Sequence, residues 1–196
     1  MKTTLKFLMP LVLGLGCLHA QTIEWGSEFG TVFETSEGNS LDSSFVFELG
    51  AFDNLFAPTP SNVDDWFANW RVFDTGDYTP ALGYVTSSAS MITTASLGPP
   101  VQVVGGSNSP TGDAAFNFQG LQAYVWIRNE DSPSPTSEWF LDVDPAWIFP
   151  NVNPDCCGND LPLQWVMDNP IVTIPEPSGV MLFTLAAAAG LLRRRR

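Results

Sequence analysis

Between residues 21 and 174 the chain carries 20 Asp and Glu but only two basic residues, Arg71 and Arg128, a formal charge of −18. The one histidine, His19, and both lysines, Lys2 and Lys6, precede that stretch. This inventory decides most chemistry by elimination. Without an imidazole or an amine, the body can build no Ser-His-Asp, Cys-His or Ser-Lys nucleophile and no His-ligated zinc. Nucleic acid is excluded as a partner, because phosphate neutralisation needs a Lys/Arg surface. There is no P-loop and no dinucleotide fingerprint, so no cofactor is implied. Carboxylate chemistry remains, since a glycoside hydrolase needs only two Asp/Glu at a set separation. With 20 acidic residues available, candidate pairs are inevitable and do not point to an enzyme.

Three local patterns add candidates. Cys156 and Cys157 are adjacent. In an oxidising compartment they can bridge each other in a strained ring, pair between molecules, or stay buried and reduced. Around them Asn151, Asn153, Asp155, Asn159 and Asp160 offer oxygen donors of the kind Ca²⁺ takes, with Asp142 and Asp144 earlier in the chain. The spacing is not that of an EF-hand, because Gly158 comes two positions late and Pro162 stands where the final Glu belongs. Turn formation explains Asn, Asp and Gly here without a metal, and no metal site is assigned. Finally, Tyr124, Trp126 and Arg128 alternate along one apolar segment. That strip either stacks on a sugar face or is the second buried side of a sheet.

These residues need a scaffold, and the body's short, punctuated apolar runs argue for strands and turns. Leu121 to Asn129 is the clearest strand, with Ala123, Val125 and Ile127 on the face opposite Tyr124, Trp126 and Arg128. Phe45 to Leu49, Trp139 to Val143, Trp147 to Phe149 and Leu163 to Met167 read similarly. Val101 to Val104 is expected to end at the Gly105-Gly106 turn signal. The stretch 131–136, with two prolines, loops one strand back to the next. One helix is expected over about 62–70: Ser61 and Asp64 have capping-box spacing, and Val63, Phe67 and Trp70 recur at helical intervals. The expected architecture is all-β, an antiparallel, jelly-roll-like β-sandwich with one short helix. Seven tryptophans fit a core of that kind, where Trp is bulky filler.

The two ends read as addresses. Lys2 and Lys6 precede an apolar run from Phe7 to Leu18, with Ala20 before a cut at Gln21, so residues 1–20 are expected to be a signal peptide. At the other end, Pro175-Glu176-Pro177 precedes 15 uncharged residues, Ser178 to Leu192, and then Arg193, Arg194, Arg195 and Arg196. As a helix that span covers roughly 22 Å at about 1.5 Å per residue, short of the about 30 Å of a bilayer core. It is therefore expected to be a short transmembrane helix, with the arginines as a cytoplasmic stop.

The triplet, short span and arginine cluster resemble the PEP-CTERM sorting domain of Gram-negative bacteria. The resemblance implies recognition by an exosortase, a membrane protease, with transient residence in the inner membrane. More loosely, FELGAF (47–52), NVDDWFANWRVFD (62–74), AYVWIRN (123–129) and EWFL followed by WIFP (138–150) resemble PEP-CTERM proteins of environmental bacteria. That likeness implies an exported β-rich domain of undefined activity. The expected organisation is a signal peptide (1–20), an exported domain (21–173) and a sorting tag (174–196). The body is expected to be non-enzymatic and structural, in the cell envelope or extracellular matrix. A carbohydrate-binding module for exopolysaccharide and a carboxylate-based glycoside hydrolase are the competing classes.

Overall fold

Alternating apolar and polar residues build nine strands among the described residues: β1 (Gln21–Ser27), β2 (Val46–Phe52), β3 (Trp70–Thr79), β4 (Tyr84–Thr94), β5 (Val103–Ser107), β6 (Tyr124–Arg128), β7 (Trp139–Asp142), β8 (Leu163–Met167) and β9 (Val172–Thr173). The computed structural model describes residues 21–53, 55–94, 103–132, 134, 137–151, 163–167 and 172–173. The leader 1–20, Cys156, Cys157, Asn153, Asp155, Asn159, Asp160 and the tag 174–196 lie outside the described residues.

All the strands join one sheet in the order β8-β1-β4-β3-β2-β6-β7-β9, with β5 also on β4. Every pairing is antiparallel except β1 with β8, which is parallel and sets Ile23 opposite Leu163 and Ser27 opposite Met167. The sheet is thus mixed, which corrects the expected purely antiparallel arrangement: a strand from late in the chain covers the open edge of the first one.

The sheet curls at β3. Trp70 to Gly76 of this strand pair with β2, whereas Asp77 to Thr79 pair with β4. One strand therefore belongs to two neighbourhoods, and the inward faces of both meet in a single core. From the β8-β1-β4 side come Ile23, Trp25, Val85, Met91, Trp165 and Met167; from the other come Phe47, Leu49, Phe73, Val125, Ile127 and Phe140. Phe73, Phe118, Phe149 and Trp165 interlock through tilted and edge-to-face contacts at centroid separations of 4.9–5.4 Å, the geometry ring quadrupoles favour.

A second apolar layer lies on the opposite face of β2, β3, β6 and β7. It holds Phe52, Val63, Trp66, Trp70, Trp126 and Trp139. The cover comes from a 3₁₀ turn, Val63–Asp65, running into a one-turn helix, α1 (Trp66–Asn69). The expected helix exists but is shorter, because Trp70 already opens β3. Its capping box does not form. Asn62 is the cap residue, and its Oδ1 accepts from the Thr59 amide at 2.8 Å and from Trp66 Nε1 at 3.0 Å. Trp66 is the buried anchor, while Phe67, expected inside, is 47% exposed.

Two strand boundaries also differ from expectation. Trp147 to Phe149 makes only a single bridge, Gln122 with Ile148. Strand β5 runs through Gly105 and Gly106 instead of ending there, helped by a register shift opposite Ile92 and Thr93.

The switch in β3 depends on Gly76. A Cβ at this position would lie 2.7 Å from Val85 Cγ2 and 2.8 Å from Trp25 Cη2, both core side chains. Gly76→Ala should therefore overpack the core and cost about 1–3 kcal/mol in urea unfolding. Stability equal to that of the unaltered protein would contradict this packing.

Candidate functional site

The strip singled out in the sequence, Tyr124, Trp126 and Arg128, faces the second apolar layer and not solvent. Trp126 is 0% exposed and Arg128 is 7% exposed, while Tyr124 is half-buried. The indole of Trp126 meets those of Trp66, Trp70 and Trp139 edge-on at 5.1–6.1 Å. A sugar cannot reach that face, and the exposed stacking strip is corrected accordingly. The same holds more widely, because all seven tryptophans of the chain are buried. Pleat alternation placed Tyr124, Trp126 and Arg128 together, as expected, but the cover from Val63 and Trp66 turns their face into interior.

Arg128 is held there by charge. Its Nη2 donates to Glu48 Oε1 at 2.8 Å, its Nη1 donates to Asp131, and the guanidinium lies 5.2 Å from the Trp126 ring centroid and 5.5 Å from that of Phe67. Glu48 is itself buried and also accepts from Trp70 Nε1 at 2.9 Å. A buried cation is tolerated only with such pairing. Two donors here, Trp126 Nε1 and Arg128 Nε, have no acceptor among the described residues. The other basic side chain of the body, Arg71, pairs with Asp53 at 2.7 Å at the surface.

Of the calcium candidates, Asn151 is described and exposed; its fellows in the loop fall outside the described residues. Among the described residues no group of three or more His, Cys, Asp or Glu is placed to hold a metal. No helix among them is long and apolar enough to cross a membrane, and the tag falls outside this test.

The site that the structure does assemble is an open groove of about 230 Å³ across β8, β1 and β4. It is lined by Glu24, Trp25, Gly26 and Ser27 of β1, Tyr84 and Thr86 of β4, and Gln164, Trp165 and Val166 of β8. Strand alternation sorts these side chains. Trp25 and Trp165 point into the core, while Glu24, Thr86, Gln164 and Val166 stand on the solvent face. Register brings them together: Glu24 sits opposite Gln164 and Gly26 opposite both Thr86 and Val166. Gln164 Nε2 donates to Glu24 Oε2 at 3.3 Å. Gly26 is needed where it is, since a Cβ would come within 2.3 Å of the Val85 carbonyl oxygen. At the rim, the ring of Phe29, 73% exposed, lies 6.3 Å from that of Tyr84. The groove thus combines a carboxylate, an amide, a hydroxyl and an aromatic ring on one open face.

Comparison with known proteins returned no family model, no curated protein and no solved structure that matches the chain.

Two predictions follow from the buried cluster. Arg128→Ala should lower stability by about 3–5 kcal/mol, because Glu48 is left buried without its counter-charge. Arg71→Ala, at a partly exposed pair, should cost no more than about 1 kcal/mol. Equal losses in urea unfolding would refute the assignment of Arg128 as the interior ion-pair partner.

Burial raises the phenol of Tyr124 above its ordinary range, and burial followed by the nearby Asp42 charge does the same for Tyr78. A raised folded-state value favours the neutral phenol, so its contribution is complete below the unfolded value of about 10 and is lost as pH rises through the folded value. The Tyr78→Phe, Tyr124→Phe double variant should lose less stability than the unaltered protein as pH rises above about 10. Identical alkaline slopes would disprove it.

Proposed function

We propose that this chain is an exported protein of the cell envelope or extracellular matrix, processed at Pro175-Glu176-Pro177 by an exosortase. Its body, residues 21–173, is then a non-enzymatic, structural domain of sandwich-like form. The carrying observation is the ordered tail: the triplet, 15 uncharged residues and four arginines. Proline lacks an amide hydrogen and disfavours a helical residue before it, so the triplet's sequence favours the extended form that a protease can thread. The span is too short for a comfortable permanent anchor, while Arg193, Arg194, Arg195 and Arg196 favour the cytoplasmic side. Residues 1–20, read as a signal peptide, direct the body to the same outer side.

The body's physics is consistent with this use. Its tryptophans serve two packed layers, and its two basic residues are tied into ion pairs. The surplus acidic charge keeps an exported protein soluble. The curl of the sheet around one shared core supports the sandwich-like reading.

Glu176→Ala, or replacement of Pro175 and Pro177 by Ala, should leave the protein in the inner membrane with its arginine tail uncut. The measurement is intact mass and fractionation in a host with an exosortase system. Processing and release of these variants at the unaltered rate would overturn the proposal.

A further inference from the structure

We infer that the groove across β8, β1 and β4 is a binding site for one ring of an uncharged saccharide. This inference is independent of the sorting tag. It also differs in place from the Tyr124, Trp126 and Arg128 strip, which the second apolar layer seals.

Charge narrows the ligand class first. Glu24 is exposed in the groove, and no cation lines it among the described residues. The two basic residues of the body are engaged elsewhere, Arg128 with Glu48 and Arg71 with Asp53. A phosphate, sulfate or uronate would meet a carboxylate with no compensating donor charge, in the field of a body with a formal charge of −18. Anionic ligands are therefore disfavoured.

The remaining chemistry suits a polyol. Glu24, Gln164 and Thr86 together supply acceptors and donors in one patch, matching hydroxyls that act as both. The half-buried Tyr84 and the exposed Phe29 offer apolar ring surface at the rim for the C–H face of a pyranose. Size agrees as well. The groove's 230 Å³ falls below the about 300–1,000 Å³ of drug-sized pockets, as befits a single ring of a longer chain lying along an open surface. The floor is rigid, because Trp25 and Trp165 beneath it are locked in the core and Gly26 is fixed by its close approach to β4. A preformed floor lowers the ordering cost of a weak ligand.

The test uses the full chain, titrated by calorimetry and saturation-transfer NMR with three probes: chitotriose and cellotriose (neutral), trigalacturonate (anionic) and trilysine (cationic). Saturable binding of a neutral trisaccharide, with trigalacturonate silent, is expected. Tyr84→Leu and Glu24→Gln should each weaken it ~fivefold or more, the scale of one hydrogen bond or ring contact. Leu55→Ala, at a fully exposed residue outside the groove lining, should leave it unchanged. Glu24→Gln keeps side-chain shape, and the unfolding curves of both groove variants separate lost binding from lost folding. Failure of both neutral probes, neutral binding indifferent to both groove variants, or binding of trilysine alone would each overturn the inference.

Discussion

The fold turns on one buried hydrogen bond. Trp25 Nε1 on β1 donates to Asp74 Oδ2 on β3 at 2.9 Å, inside the core. Those strands are not neighbours: β4 lies between them in the sheet. Asp74 is also placed two residues before Gly76, where β3 leaves β2 and turns to β4. A carboxylate with 4% exposure is costly unless it is satisfied, so the indole donor fixes how the two neighbourhoods approach. The curl, the shared core and the room above Gly76 all presuppose that contact. A similar device recurs on the other face, where Trp70 donates to the buried Glu48. Each face of the sheet is thus anchored by an indole–carboxylate pair, one in each apolar layer.

This construction divides the surface. The aromatic residues that would attract a ligand are largely used to hold the two layers together, and the half of the sheet formed by β2, β3, β6 and β7 is covered on both sides. Among the described residues, the outer face of β8, β1 and β4 has no such cover. Its outward side chains are Thr22, Glu24, Thr86, Ser88, Ser90 and Gln164, with Val166 and Tyr84 at one end. A polar sheet face over a packed core is an open platform. It is well suited to repetitive, weak surface contacts and poorly suited to reactions that need water excluded.

Much of this was legible in the chain, and the gaps have physical causes. The alternation of Ala123, Val125 and Ile127 against Tyr124, Trp126 and Arg128 located β6 and sorted its faces. Period-two alternation also located β8. It could not say that both faces of β6 are interior, because the cover comes from Val63 and Trp66, some 60 residues earlier. Strand β4 went unread, since its inward positions include Ser87 and Ala89 beside Val85 and Met91, a weak apolar signal. Strand β3 was masked by Asp74, Gly76 and Asp77, residues that strands usually avoid. Their presence is explained only by the tertiary roles of Asp74 and Gly76. The groove was invisible for a further reason: Glu24 and Gln164 meet across 140 positions of sequence, through a parallel pairing with no local signature.

Charge adds the final constraint. With Glu48 and Asp74 buried and Arg71 and Arg128 neutralised by ion pairs, the rest of the body's exposed charge is acidic. Like charges on so small a body repel, and compactness must come from the two apolar layers. At physiological ionic strength that repulsion is screened beyond about 8 Å, so it acts mainly between near neighbours on the surface and against closely approaching polyanions. An anionic matrix polymer would be kept at a distance, whereas a neutral one could lie along the open β8-β1-β4 face without an electrostatic cost. The scarcity of cations in the sequence thereby shapes the electrostatics of the folded surface as well.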